Sequence, residues 1–156
     1  MKLDIRIDDL SSEASRSIVR EHMAGMLANT PIESVHALPL EKLRQPSITF
    51  WTAWMGSELC GCGALQILDQ HHGEVKSMRT RERFLRQGVA QAVLLRIIDE
   101  AKLKGIQNLS LETGSSDEFS AARAMYFKHG FEICGPFADY QPDPLSVFMT
   151  KPLKIG

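Results

Sequence analysis

The chain has 156 residues, 44% of them hydrophobic and 24% charged, with a formal net charge of −1. That length suits one domain, residues 1–156, with a sizeable core, and the near-neutral charge argues against a nucleic-acid partner held by bulk charge. The charged start Met1-Lys-Leu-Asp-Ile-Arg lacks the apolar run of a secretory signal, and no apolar segment is long enough to span a bilayer, so a cytoplasmic protein with no membrane partner is expected.

Leu3 to Asp8 alternates apolar and charged residues and predicts a strand. Ser12 to about Leu27 places Val19, His22, Met23 and Met26 on one side behind a serine-rich start, which predicts a helix. The segment NTPIESVHALPLEKLRQP reads as a loop with a helical turn near Leu40. Ile48–Met55 and Leu59–Leu68 predict two strands joined at Gly56-Ser57, and a turn at DQHHG leads to a fourth, Glu74–Thr80. A long helix follows, with Ala90, Val93, Leu94, Ile97, Ile98 and Ala101 as its apolar stripe and Gly105 as its stop. Leu109–Thr113 predicts a strand. Ser115-Ser-Asp-Glu118 fits a capping box, and Phe119, Ala122 and Tyr126 share a face of the helix behind it. Gly130 ends that helix, and Phe131–Cys134 and Val147–Thr150 predict the last strands, around the proline-rich loop GPFADYQPDPL.

A strand, a helix and a strand from Glu74 to Thr113 form a right-handed crossover, so those two strands should be parallel, whereas the hairpins before them are antiparallel. The expected fold is α/β: a mixed, mostly antiparallel twisted sheet of about seven strands flanked by helices.

Several side chains have plain structural explanations. Cys60, Cys62 and Cys134 are read as reduced, buried thiols, because a structural zinc site wants four ligands and wider spacing. Asp69, His71 and His72 are read as a solvated turn, so no metal is expected. Trp51 and Trp54 should face opposite sides of their strand.

The start of the long helix is different. The amides of Arg86, Gln87, Gly88, Val89 and Ala90 have no intrahelical partners, and the helix dipole adds positive potential. Gly88 lets a ligand approach where a Cβ would intrude. Together they make a candidate anion site suited to a pyrophosphate, with Arg81, Arg83 and Arg86 supplying charge nearby. The glycine fingerprint of dinucleotide-binding proteins and the Walker lysine loop are both missing.

Leu85-Arg-Gln-Gly-Val-Ala90 resembles the Gln/Arg-x-x-Gly-x-Gly/Ala cofactor motif of the GNAT acetyltransferase superfamily, with leucine where that pattern has glutamine or arginine. EVKSMRT resembles the strand that pairs with the pantetheine arm, and LETGSSDEFSAARAMYFKHGF resembles the second motif, Ala-x-x-x-Tyr-x-x-x-Gly-Phe. ESVHAL and PFADYQPDPLSVFM resemble segments of a bacterial branch of small N-acetyltransferases. The resemblance covers nearly the whole chain. It implies the acyl-CoA N-acyltransferase fold, acetyl-CoA as cosubstrate, a primary amine of a small molecule, peptide or protein as acceptor, and a homodimer as a possible assembly. The alternative is a non-catalytic acyl-CoA-binding sensor of the same fold, toward which Leu85 leans.

The resemblance further implies site residues. Met78, Arg79 and Thr80, with Arg86, Gln87, Gly88, Val89, Ala90, Gln91 and Lys128, would bind the cofactor. An amine with a pKa near ~10 must lose a proton to attack a thioester, and the departing thiolate gains from a donor. Tyr126 is the expected donor and Glu74 the expected base, with Glu112 a second candidate and a water relay a third. Without the family, Tyr126 is an aromatic on a buried helix face and Glu74 a surface carboxylate. Glu33, Ser34 and His36 fall where the acceptor pocket is built; local loop hydrogen bonding explains them equally well.

Overall fold

In the computed structural model, which describes residues 2–154, seven strands form one sheet in the order β1-β2-β3-β4-β5-β7-β6. β1 is Asp4–Ile7, β2 Ile48–Met55, β3 Glu58–Ile67, β4 His72–Thr80, β5 Asn108–Gly114, β6 Glu132–Cys134 and β7 Ser146–Pro152. β4 and β5 are the parallel pair, and the other neighbours run antiparallel. The expected mixed sheet and its crossover are therefore present.

Helix α1, Glu13–Asn29, is capped by Ser12, whose hydroxyl accepts from the Ser15 amide at 3.1 Å. Asp8 fixes its approach: one carboxylate takes the Leu10 amide and the hydroxyls of Ser15 and Thr52. A short helix α2, Leu40–Leu43, follows the loop in which a turn was expected.

Helix α3, Val89–Leu103, buries Val89, Val93, Leu94, Ile97, Ile98 and Ala101 against one face of the sheet. Each fully buried valine, leucine or isoleucine among them contributes about 1.5–3 kcal/mol. Trp51 belongs to this core, while Trp54 packs with the second core under α1, so the two tryptophans do face opposite sides.

Helix α4, Ser120–Lys128, departs from the expected start. A single helical turn at Asp117–Phe119 precedes it, with no side-chain cap. The Ser115 hydroxyl turns away to donate to the Pro144 carbonyl at 2.8 Å, and the Arg123 guanidinium caps from inside the helix, donating to the carbonyls of Gly114 and Ser116. A long-range contact with the β6–β7 loop outcompetes the local box.

Candidate active site

The parallel pairing of β4 and β5 stops at Val75–Leu111, although both strands continue. β4 stays on β3 instead, through a bulge. One residue, Gly63, lies between the pairs Cys62–Arg79 and Ala64–Lys76 on β3, whereas Ser77 and Met78 both lie between them on β4. Ser77 takes φ +56° there. Gly63 makes the bulge possible: a Cβ on it would lie 2.6 Å from both the Met78 sulfur and Val93 Cγ1. The strands part, and a cavity of about 550 Å³ runs through the gap. That is an ordinary size for a small-molecule site.

On the α3 side, Leu85, Arg86, Gly88, Val89, Ala90 and Gln91 line the cavity. Arg86 at φ +61° and Gly88 at φ +82° are both left-handed, and Gly88 caps α3. Successive amides in such a loop, ahead of a helix of fifteen residues, form an anion-binding concavity. Gln87 does not line it; its side chain donates to the Arg83 carbonyl. Lys128 is exposed beside it and donates to Gln91 Oε1 at 3.3 Å.

Of the three nearby arginines, Arg86 lines the cavity. Arg83 pairs with Glu58 at 2.8 Å, and Arg81 ties α1 to the sheet through Glu21 at 2.5 Å and Ser17 at 2.8 Å. Met78, Arg79 and Thr80 line the opening along β4. The Arg79 side chain leaves it for α1, donating to His22 Nδ1 and the His22 carbonyl, each at 3.1 Å. Burial, with Arg79 beside it, pushes the His22 pKa down to about 4, so the ring is neutral and accepts that bond.

Tyr126 comes from α4, its ring edge-on to Phe131 at 5.7 Å, and it lines the cavity. Burial, and then the Glu112 carboxylate, push its phenol above the usual range, so it is protonated at neutral pH.

The far side of the sheet carries the remaining polar groups. Glu74, Lys76 and Glu112 alternate with Val75 and Leu111, which face α3. Glu74 is 3% exposed, and its Oε2 accepts from the Lys76 ammonium at 3.1 Å and the Tyr140 hydroxyl at 2.5 Å. Glu112 lines the same cavity, and burial raises its pKa to about 7.

The β6–β7 loop folds over this end. Tyr140 packs edge-on against His36 at 4.9 Å and Phe137 at 5.0 Å, and Asp143 accepts from the Ser34 hydroxyl at 2.6 Å. His36 lines the cavity, Ser34 is a tether in the loop wall, and Glu33 is exposed outside it. Sequence reasoning missed Lys76 and Tyr140. Lys76 carried no signal, whereas an aromatic in a proline-rich loop is the kind of residue a binding loop presents. His71 is exposed in its turn, while His72 opens β4 with its ring 2.7 Å from the Ser110 hydroxyl.

The sheet is thus split between two parallel strands, with a left-handed loop on one side and two acids and a tyrosine across the gap. The Acetyltransferase (GNAT) family pattern matches residues 15–131. The chain is 57% identical over 151 residues to the uncharacterized N-acetyltransferase YsnE of Bacillus subtilis, covering 97% of this chain and 100% of that one. It is 49% identical to the uncharacterized N-acetyltransferase YedL of Escherichia coli, covering 94% and 92%. A candidate acyl-CoA N-acyltransferase structure from Klebsiella pneumoniae superposes with a TM-score of 0.79 at 25% identity, covering 97% and 98%. A GNAT structure from Elizabethkingia anophelis with acetyl-CoA bound superposes at 0.70 and 21% identity, covering 97% and 98%. The chain belongs to the GNAT acetyltransferase family and is an N-acetyltransferase.

Proposed function

We propose that the protein transfers the acetyl group of acetyl-CoA to a primary amine by direct attack on the thioester. The observation that carries this reading is the parting of β4 from β5 between the Arg86–Gly88 loop and Tyr126. The amides after Leu85 hold the diphosphate, and the pantetheine arm runs along Met78–Thr80. The acceptor enters from the opposite side, at His36, Lys76 and Tyr140.

In the reaction the amine nitrogen bonds to the thioester carbon. The developing oxyanion is stabilised by a β4 amide around Met78 and Arg79. The carbon–sulfur bond then breaks, and Tyr126 donates its proton to the departing sulfur. The amine proton goes to Glu112, whose pKa near 7 suits a base at neutral pH. Glu74 is the second candidate; its engagement with Lys76 and Tyr140 suits it better to holding them.

Steady-state thiol release with acetyl-CoA and an amine panel, alongside a cofactor titration, is the test. Tyr126→Phe should lower kcat about 10²-fold or more, within the range for general acid catalysis, and leave the cofactor Kd nearly unchanged. A fully active Tyr126→Phe protein overturns the assignment. Leu85 in the cofactor motif favours the second reading, an acyl-CoA sensor. Tight cofactor binding with no thiol release for any amine would support that reading instead.

A further inference from the structure

The acceptor end of the cavity contains a buried cation that acetyl transfer itself does not require. The Lys76 side chain is 9% exposed and that of Glu74 4%. The Lys76 ammonium donates to Glu74 and, at 2.9 Å, to the Tyr140 hydroxyl, and lies 5.5 Å from the Tyr140 ring centre. An ammonium carries three donors, so one N–H is left without a partner among the described residues.

A buried ion pair is costly to desolvate and often contributes less than apolar residues of equal volume. Tying the loop to the sheet needs only a neutral hydrogen bond, such as the one the Ser115 hydroxyl, just past β5, donates to the Pro144 carbonyl of the same loop. The charges are also complementary to one kind of ligand. Glu74 balances Lys76, which leaves Glu112, on the same face of the sheet, as a cavity-lining acid with no ion-pair partner among the described residues. A ligand with one positive and one negative group would meet Glu112 with the first and the third Lys76 donor with the second, and bring in no net charge. The Ser34–Asp143 bond and the Tyr140 contacts hold the loop across this end, which suits a small acceptor.

Resting on the acetyl-transfer reading above, we propose that the acceptor is a small free amino acid, its carboxylate bound by Lys76 and its amine presented to the thioester beside Glu112. Lys76 is then the specificity-determining residue, and Glu74 and Tyr140 position it.

The test compares α-, β- and γ-amino acids with their primary amides, with the matching amines lacking the carboxylate, and with a tripeptide. A charged hydrogen bond predicts that the preferred acid exceeds its amide about ten-fold or more in kcat/KM, mostly through KM. Propionate and butyrate should compete with the acceptor and not with acetyl-CoA. Lys76→Met should bring acid and amide to equal rates and abolish that competition. Because this change leaves Glu74 buried without a counter-ion, the double variant Lys76→Met/Glu74→Gln is assayed alongside, with a thermal melt of each. Equal wild-type rates for acid and amide, an equally good tripeptide, or carboxylates that do not compete would each overturn the inference. Amines without a carboxylate that react as fast as the acids leave acetyl transfer standing and remove this inference alone. No cofactor uptake, or no thiol release from any acceptor, removes the transfer reading and this inference with it.

Discussion

Glu112 illustrates how a single residue acquires its chemistry from its surroundings. In the unfolded chain its carboxyl has a pKa of 4.5, and in the fold burial lifts this to about 7. Two consequences have opposite signs. As the base, Glu112 must be ionised, so kcat/KM should rise with pH through about 7, and Glu112→Gln should lose both that limb and most of the rate. For stability, a raised acid pKa favours the fold fully below 4.5 and loses that contribution as pH rises through 7. Glu112→Gln does not titrate, so its melting temperature should gain on the wild type between pH 5 and pH 8. A difference that stays flat across that range would contradict the buried carboxyl. The shift is not legible in the sequence, which offers Glu112 only as a second candidate base behind Glu74. Tyr126 was singled out in the sequence because the helix spacing and the motif Ala-x-x-x-Tyr-x-x-x-Gly-Phe coincide on it, and its side chain lines the cavity.

Among elements, β3 is the one that opens the site. Its Gly61 and Gly63 have no side chain to hold off β4 and α3, and the bulge at Ser77–Met78 fills that space. A Cβ on Gly61 would fall 2.8 Å from the Arg79 carbonyl oxygen. Gly63→Ala should therefore destabilise the protein by about 1–3 kcal/mol, the usual cost of overpacking. It should also weaken acetyl-CoA binding, because Met78 has to move. Chemical denaturation and a cofactor titration would check both, and unchanged affinity would separate the bulge from the binding face. The strands themselves were readable from alternation and turn residues, and α3 from its stripe. The start of α4 was misread, because a capping box is a local signal and Ser115 found a partner 29 residues away at Pro144.

For the whole molecule, the site is a junction of distant segments. α1 reaches β4 through His22–Arg79, the loop at Ser34–His36 meets the loop at Tyr140–Asp143, and α4 meets α3 where Lys128 and His129 contact Gln91. A ligand lying along this junction should stabilise the fold as a unit. At 100 times its Kd, acetyl-CoA should contribute about 2.7 kcal/mol, which for a chain of this size is roughly 5–10 °C in the melting temperature. No shift at saturating cofactor would contradict cofactor binding in this cavity. By itself the sequence determined the order and type of the main strands and helices, because each rests on neighbours a few residues apart; that order implied the parallel crossover, and the motifs singled out the Arg86–Ala90 loop and Tyr126 as candidates. The tertiary structure alone decided that β4 and β5 part after Val75, that two of the three arginines serve as ties, and that Lys76, Glu74 and Tyr140 meet. Those contacts join residues up to 66 positions apart, and closing such loops depends on the packing of the entire chain.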